Sequence, residues 1–94
     1  MESVVKEEEF LTKDEIKSVI KEIIENHYRY ISSSGITFKE IEADFLYWLE
    51  KNHRKCNWSL EPILNELIKK GEVVIQGTTL DNRLTFRLFH RPIK

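Results

Sequence analysis

The stretch Leu64-Asn65-Glu66-Leu67-Ile68-Lys69-Lys70-Gly71-Glu72-Val73-Val74 changes its hydrophobic period part-way along. Before Gly71, the residues Leu60, Ile63, Leu64, Leu67 and Ile68 recur at helical spacing. After Gly71, Val73-Val74-Ile75-Gln76 is β-branched and strand-like. Lys69 and Lys70 suit the negative end of a helix dipole, and Gly71 suits the left-handed conformation that ends a helix. Ser59 is the expected N-cap, with Glu61 and Pro62 in the first turn, so a helix is expected over residues 59–70. The polar, basic segment Asn52-His53-Arg54-Lys55-Cys56-Asn57 just before it reads as a turn.

Downstream, residues 77–83 carry turn-forming types, and Leu84-Thr85-Phe86-Arg87-Leu88-Phe89 alternates again. The pair of strands is expected to form a β-hairpin with a rather long loop, ended by Pro92. Upstream, Thr37 and Glu40 have capping-box spacing and open a helix over 38–52. Phe38, Ile41, Phe45, Trp48 and Leu49 form its apolar stripe. Leu46 and Tyr47 lie outside that stripe, an apolar surplus that points to a partner interface. Ile36 and Thr37 read as a short extended segment.

A first helix is expected over 12–32, opened by the capping-box pair Thr12 and Glu15. Its inward stripe reads Ile16, Ile20, Ile23, Ile24, His27 and Ile31, and Ser32-Ser33-Ser34-Gly35 stops it. His27 on that stripe is expected to be a core histidine. Residues 1–11 read as an acidic arm in which Val4, Val5 and Phe10 are apolar enough to dock, and residues 12–94 as the domain. The fold class is α+β: three helices against a small antiparallel sheet.

The chain has 94 residues, enough for one domain. Hydrophobic residues make up 40% and charged residues 33%, a globular balance rather than a disordered one. No apolar run reaches the roughly 20 residues of a membrane span. The acidic N-terminus lacks the apolar core of a signal peptide, so a cytoplasmic location and no membrane partner are expected. Cys56 is the single cysteine: either a free thiol or a bridge between two copies. His53 and Cys56 have no second ligand pair nearby, so neither metal nor cofactor is expected. With only three glycines there is no phosphate-cradling loop, and Cys56 has no evident orienting partners. Glu7, Glu8 and Glu9 lie in the arm, away from any cleft. Neither enzymatic activity nor a small-molecule substrate is expected.

Net charge is −1, but its distribution is uneven. Residues 1–50 hold six Lys/Arg against twelve Asp/Glu, and residues 51–94 hold nine against four. Such asymmetry presents one half of a chain to a polyanion, unless it is a chance partition in a charge-rich sequence.

The order of elements, and the run Leu64–Val74, resemble the winged-helix (winged helix-turn-helix) superfamily over residues 12–91. In that family a leucine-rich third helix ends in Lys/Glu-Gly and leads into a strand, a polar wing and a returning strand. The short length also resembles that of small winged-helix proteins encoded by crenarchaeal viruses. The resemblance implies that helix 59–70 lies in the major groove of double-stranded DNA, with wing 77–83 on the adjacent groove or backbone. It also implies that the outward residues of this helix are Glu61, Pro62, Asn65, Glu66 and Lys69.

Within that frame Asn65 is the candidate base reader, because its amide pairs with adenine's donor and acceptor together. Lys69 suits a phosphate. Arg54, Lys55, Asn57 and Ser59 form the turn and helix start that pass the backbone, and Thr79, Asn82 and Arg83 serve the wing. Lys51 and His53 precede the turn, and Arg87, His90, Arg91 and Lys94 extend the basic region. Five to seven phosphate contacts would give a log–log salt slope of roughly −5. Trp58 is expected to pack on the third helix. Leu80 faces either a groove or the sheet. Glu61 and Glu66 depart from the pattern: carboxylates on this face either sharpen selectivity or turn the helix away from DNA. The expected protein is a dimeric transcriptional regulator, paired through the first helix (Tyr28, Tyr30) and the aromatic residues of the second. The alternative is a winged-helix protein-interaction module that does not bind DNA.

Overall fold

The computed structural model describes residues 10–89. Helix α1 spans Lys13–Tyr30, α2 Phe38–Asn52 and α3 Leu60–Lys69; strand β1 is Ile36–Thr37, β2 Val73–Thr78 and β3 Leu84–Leu88. All pairings are antiparallel, and β3 is central in the order β1-β3-β2. The result is an α+β domain of three helices and a three-stranded sheet, compatible with a winged-helix layout. Among the described residues, no helix is long and apolar enough to cross a membrane.

Both capping boxes form. The Glu15 N–H donates to Thr12 Oγ1 at 3.1 Å while Glu15 Oε1 accepts from the Thr12 N–H at 2.9 Å. Thr37 and Glu40 repeat the arrangement at 3.2 and 3.0 Å. Each box satisfies two backbone donors that a helix start otherwise leaves open. Ser59 is the N-cap of α3 but makes no side-chain cap bond.

The α1 stripe Ile16, Ile20, Ile23, Ile24 and His27 is buried, and Val19 joins it. Ile31 does not. It is 71% exposed, because α1 ends at Tyr30 and the N–H groups of Ile31 and Ser32 both close back on the His27 carbonyl. That tight turn takes Ile31 off the helical path. Ile41 and Phe45 from α2, Ile63, Leu64 and Leu67 from α3, and Ile36, Val73 and Phe86 from the sheet complete one core with α1. Trp48 and Leu49 pack at its edge. Of Phe10 and Leu11, read from sequence as the end of the arm, Leu11 belongs to this core and Phe10 is half-buried in a bridge to Lys55. The Leu11 N–H donates to the Lys55 carbonyl at 2.9 Å, and Leu11 is buried. Val4 and Val5 of the arm lie outside the described residues, as do His90, Arg91, Pro92 and Lys94.

The hairpin loop is shorter than expected. Gly77 and Thr78 extend β2, paired with Thr85 and Leu84, so the wing turn contracts from 77–83 to 79–83. A register shift between Ile75 and Gly77 takes up the odd residue, Gln76, whose side-chain amide donates to the Ser33 carbonyl. This bulge joins the hairpin to the α1–β1 turn. In the turn, the Thr79 N–H donates to the Arg83 carbonyl, Thr79 Oγ1 accepts from the Arg83 N–H, and Asn82 adopts a left-handed φ of 66°.

Gly35 sits where the chain enters β1, with φ +95°. A Cβ there would lie 3.0 Å from Thr85 Cβ and 3.1 Å from the Phe86 carbonyl oxygen. Gly35→Ala is therefore expected to destabilise the domain by about 1–3 kcal/mol in a denaturant melt, through positive-φ strain and crowding of the central strand.

Candidate nucleic-acid interface

Helical spacing on α3 turns Ile63, Leu64 and Leu67 into the core and leaves Glu61, Pro62, Asn65 and Lys69 exposed. Asn65 stands on the outer ridge between two hollows. The first, of about 810 Å³, is lined by Lys13, Asn57, Trp58, Ser59, Pro62, Asn65, Glu66 and Lys69. The second, of about 330 Å³, lies towards the hairpin and is lined by Lys39, Glu61, Asn65, Arg83 and Leu84 with the edge of the core. Thr37, Lys39, Thr79, Asp81 and Arg83 line a further depression that joins the start of α2 to the wing turn.

Asn57, Ser59, Asn65 and Lys69 are thus brought together, and Arg83 stands on the other side of Asn65. Thr79 faces the wing-side depression with Arg83. Asn82 is exposed at the turn and lines none of these three. Arg54 and Lys55 also line none of them. Arg54 is half-buried and points to the start of α1, its Nη2 3.4 Å from Glu15 Oε1. Lys55 is exposed, with its backbone bridged to Phe10. Trp58 is not a core residue: it is 48% exposed, with Lys13 Nζ 5.8 Å from its ring centroid. Leu80 is fully exposed at the wing turn and rests on nothing.

Among the described residues, the cations of the basic second half do not all stand at this face. Lys69 and Arg83 flank the α3 ridge. Lys51 lies over the Tyr47 ring, Lys70 lines a depression with Lys21, Glu72 and Leu88, and Arg87 donates to the Leu88 carbonyl. Two further cations at these hollows come from the acidic half: Lys13 from α1 and Lys39 from α2. Both sit in the first turn of a helix, where the positive end of the dipole disfavours a cation. A lysine placed against the dipole was the available sequence signal.

Glu66 is not a bare carboxylate. Its oxygens lie 3.0 Å from Lys13 Nζ and 3.5 Å from Lys17 Nζ. The hydrogen bond from Lys13, with the charges of Lys13 and Lys17, holds its carboxyl below the ordinary glutamate range. Glu72 is lowered by its hydrogen bond with Lys21, and Glu15 first by the Thr12 backbone N–H and then by Arg54. Asp81 is lowered by the Thr79 hydroxyl, by its own backbone N–H and by Arg83. Each folded-state value lies below its unfolded one, so the associated stability is fully present above the ordinary carboxylate range. It is lost as pH falls through the folded values. These groups are exposed and solvent screens them. A modest decline in melting temperature is therefore expected only below about pH 4.5, and it should flatten in high salt. Unchanged melting from pH 7 to 3 would contradict it.

Beside this face, α2 presents Leu46 and Tyr47, each 65% exposed. Leu46 edges a groove of about 480 Å³ shared with Phe38, Leu49, Cys56 and Trp58, and rimmed by Glu42 and Glu61. Tyr30 and Ile31 are also largely exposed at the end of α1. No family model matches the chain, and no curated protein or solved structure shows significant similarity to it.

Proposed function

We propose that this chain is a winged-helix protein that binds double-stranded DNA. Helix α3 enters the major groove, and the wing turn 79–83 reaches the adjacent groove or backbone. The observation that carries this reading is the exposed α3 ridge, where Asn65 stands between hollows lined by cations from three further elements: Lys13, Lys39 and Arg83. Asn65 reads a base edge, while Lys39, Lys69 and Arg83 contact phosphates. Asn57 and Ser59 donate from the start of α3. A second copy pairs through the exposed apolar residues of α2 and the end of α1, and the pair acts as a transcriptional regulator. Two-fold symmetry then requires half-sites about one helical turn apart.

The test is to follow the protein's amide NMR signals on adding a duplex of roughly two helical turns. Shifts should concentrate at Lys13, Lys39, 57–69 and 79–83. Absence of shifts there would overturn the reading. The alternative, a protein-interaction module, draws on the apolar groove edged by Leu46 and Trp58 and rimmed by Glu42 and Glu61. Sedimentation showing only monomer at micromolar concentration would remove the dimer.

A further inference from the structure

We infer that Glu66 is an electrostatic brake on the nucleic-acid face. By holding the ammonium groups of Lys13 and Lys17, it limits sequence-independent attraction to phosphate. The inference rests on the duplex-binding reading of α3.

Lys13 and Lys17 are one turn apart on α1, and both reach across to a single carboxylate on α3. That carboxylate follows Asn65 directly and precedes Lys69 by one turn, so it stands among the residues offered to DNA. Glu66, Lys13 and Lys69 line the same hollow. The Lys13 ammonium is shared between the carboxylate and the face of Trp58. Three charges in this cluster sum to +1, where the two lysines alone would present +2.

Part-exposed ion pairs contribute little to folding. At a phosphate-binding surface the same carboxylate acts more strongly. A lysine engaged by Glu66 must give up that contact before it neutralises a phosphate, and the carboxylate repels the approaching backbone. Non-specific binding is almost wholly electrostatic and is therefore the part most reduced. Base contacts made by Asn65 do not depend on this charge, so the brake raises the share of binding that depends on sequence.

The test is fluorescence anisotropy with a random-sequence duplex over a salt series, on the full chain. Glu66→Gln should bind roughly three- to ten-fold tighter than the parent near 0.1 M salt, with a slope steeper by about 0.9, one added phosphate contact. Glu66→Asp keeps the charge and should retain the parent slope. Lys13→Gln combined with Lys17→Gln strips the carboxylate of its cations and should weaken binding. Glu66→Ala also removes the charge and suits a helix, so it should gain affinity likewise and serves as the test if Glu66→Gln does not fold. If the parent binds and Glu66→Gln shows the same affinity and slope, with only a lower melting temperature, Glu66 is a structural clasp and the inference is overturned. If neither parent nor Glu66→Gln binds duplex, the reading of α3 fails and the inference falls with it.

Discussion

Replacing Lys69 and Arg83 together with glutamate is expected to weaken duplex binding by at least roughly a hundred-fold near 0.1 M salt. The two cations flank Asn65, one in the hollow shared with α1 and one in the hollow beside the hairpin. Each reversal removes a neutralised phosphate and adds a repulsive charge in its place. The fold should survive. Lys69 is exposed, and the Arg83 side chain makes a surface pair with Asp81 at 3.3 Å, of a kind that contributes about 0–1 kcal/mol. Arg54→Glu makes the contrast. Its partner is Glu15 on α1, so reversal there should lower the melting temperature with a smaller effect on binding. Anisotropy and thermal melts on the two variants check both statements. Undiminished binding by the Lys69/Arg83 variant would remove α3 and the wing from the interface.

Leu67→Ala is expected to cost about 2–5 kcal/mol, the range for emptying a buried leucine site. Leu67 has no exposed surface and lies in the core shared by α1, α3 and the sheet. A domain of this size has only several kcal/mol to lose, and each kcal/mol moves the midpoint by roughly 4–8 °C. The midpoint should therefore fall by roughly 8 to 40 °C, or the variant should be largely unfolded at 37 °C. Leu80→Ala is the matched control. Leu80 is fully exposed, so its loss should leave the melt unchanged. Equal melts for the two leucine variants would contradict the placement of α3.

Local chemistry made most of the architecture legible. Capping boxes at Thr12 and Thr37 mark two helix starts, and the switch of period at Gly71 marks where helix gives way to strand. These signals act within a few residues, which is why they read correctly without tertiary information. Ile31 failed because a periodic stripe carries no notice of where the last turn breaks. The wing was read too long because pairing of Gly77 and Thr78 depends on the bulge at Gln76, and thus on Ser33, far away in sequence. The candidate site was less legible. Asn57, Ser59, Asn65 and Lys69 share a surface because they follow one helix and its start. Lys13 and Lys39 join them only through the tertiary packing of the helices and the hairpin. Tertiary packing also gives Glu66 its lysines and Arg54 its glutamate, pairings that a charge tally of each half does not contain.

The most direct measurement is a titration of the unmodified protein against a labelled duplex at roughly 50 and 200 mM salt. Three phosphate contacts, from Lys39, Lys69 and Arg83, with Lys13 held by Glu66, place the log–log slope at roughly −2.7, shallower than the value of roughly −5 expected from sequence. Saturable binding with a slope in that neighbourhood is the expected result. Affinity no greater than that of a neutral control protein, or indifferent to salt, would contradict the assignment of α3 to DNA.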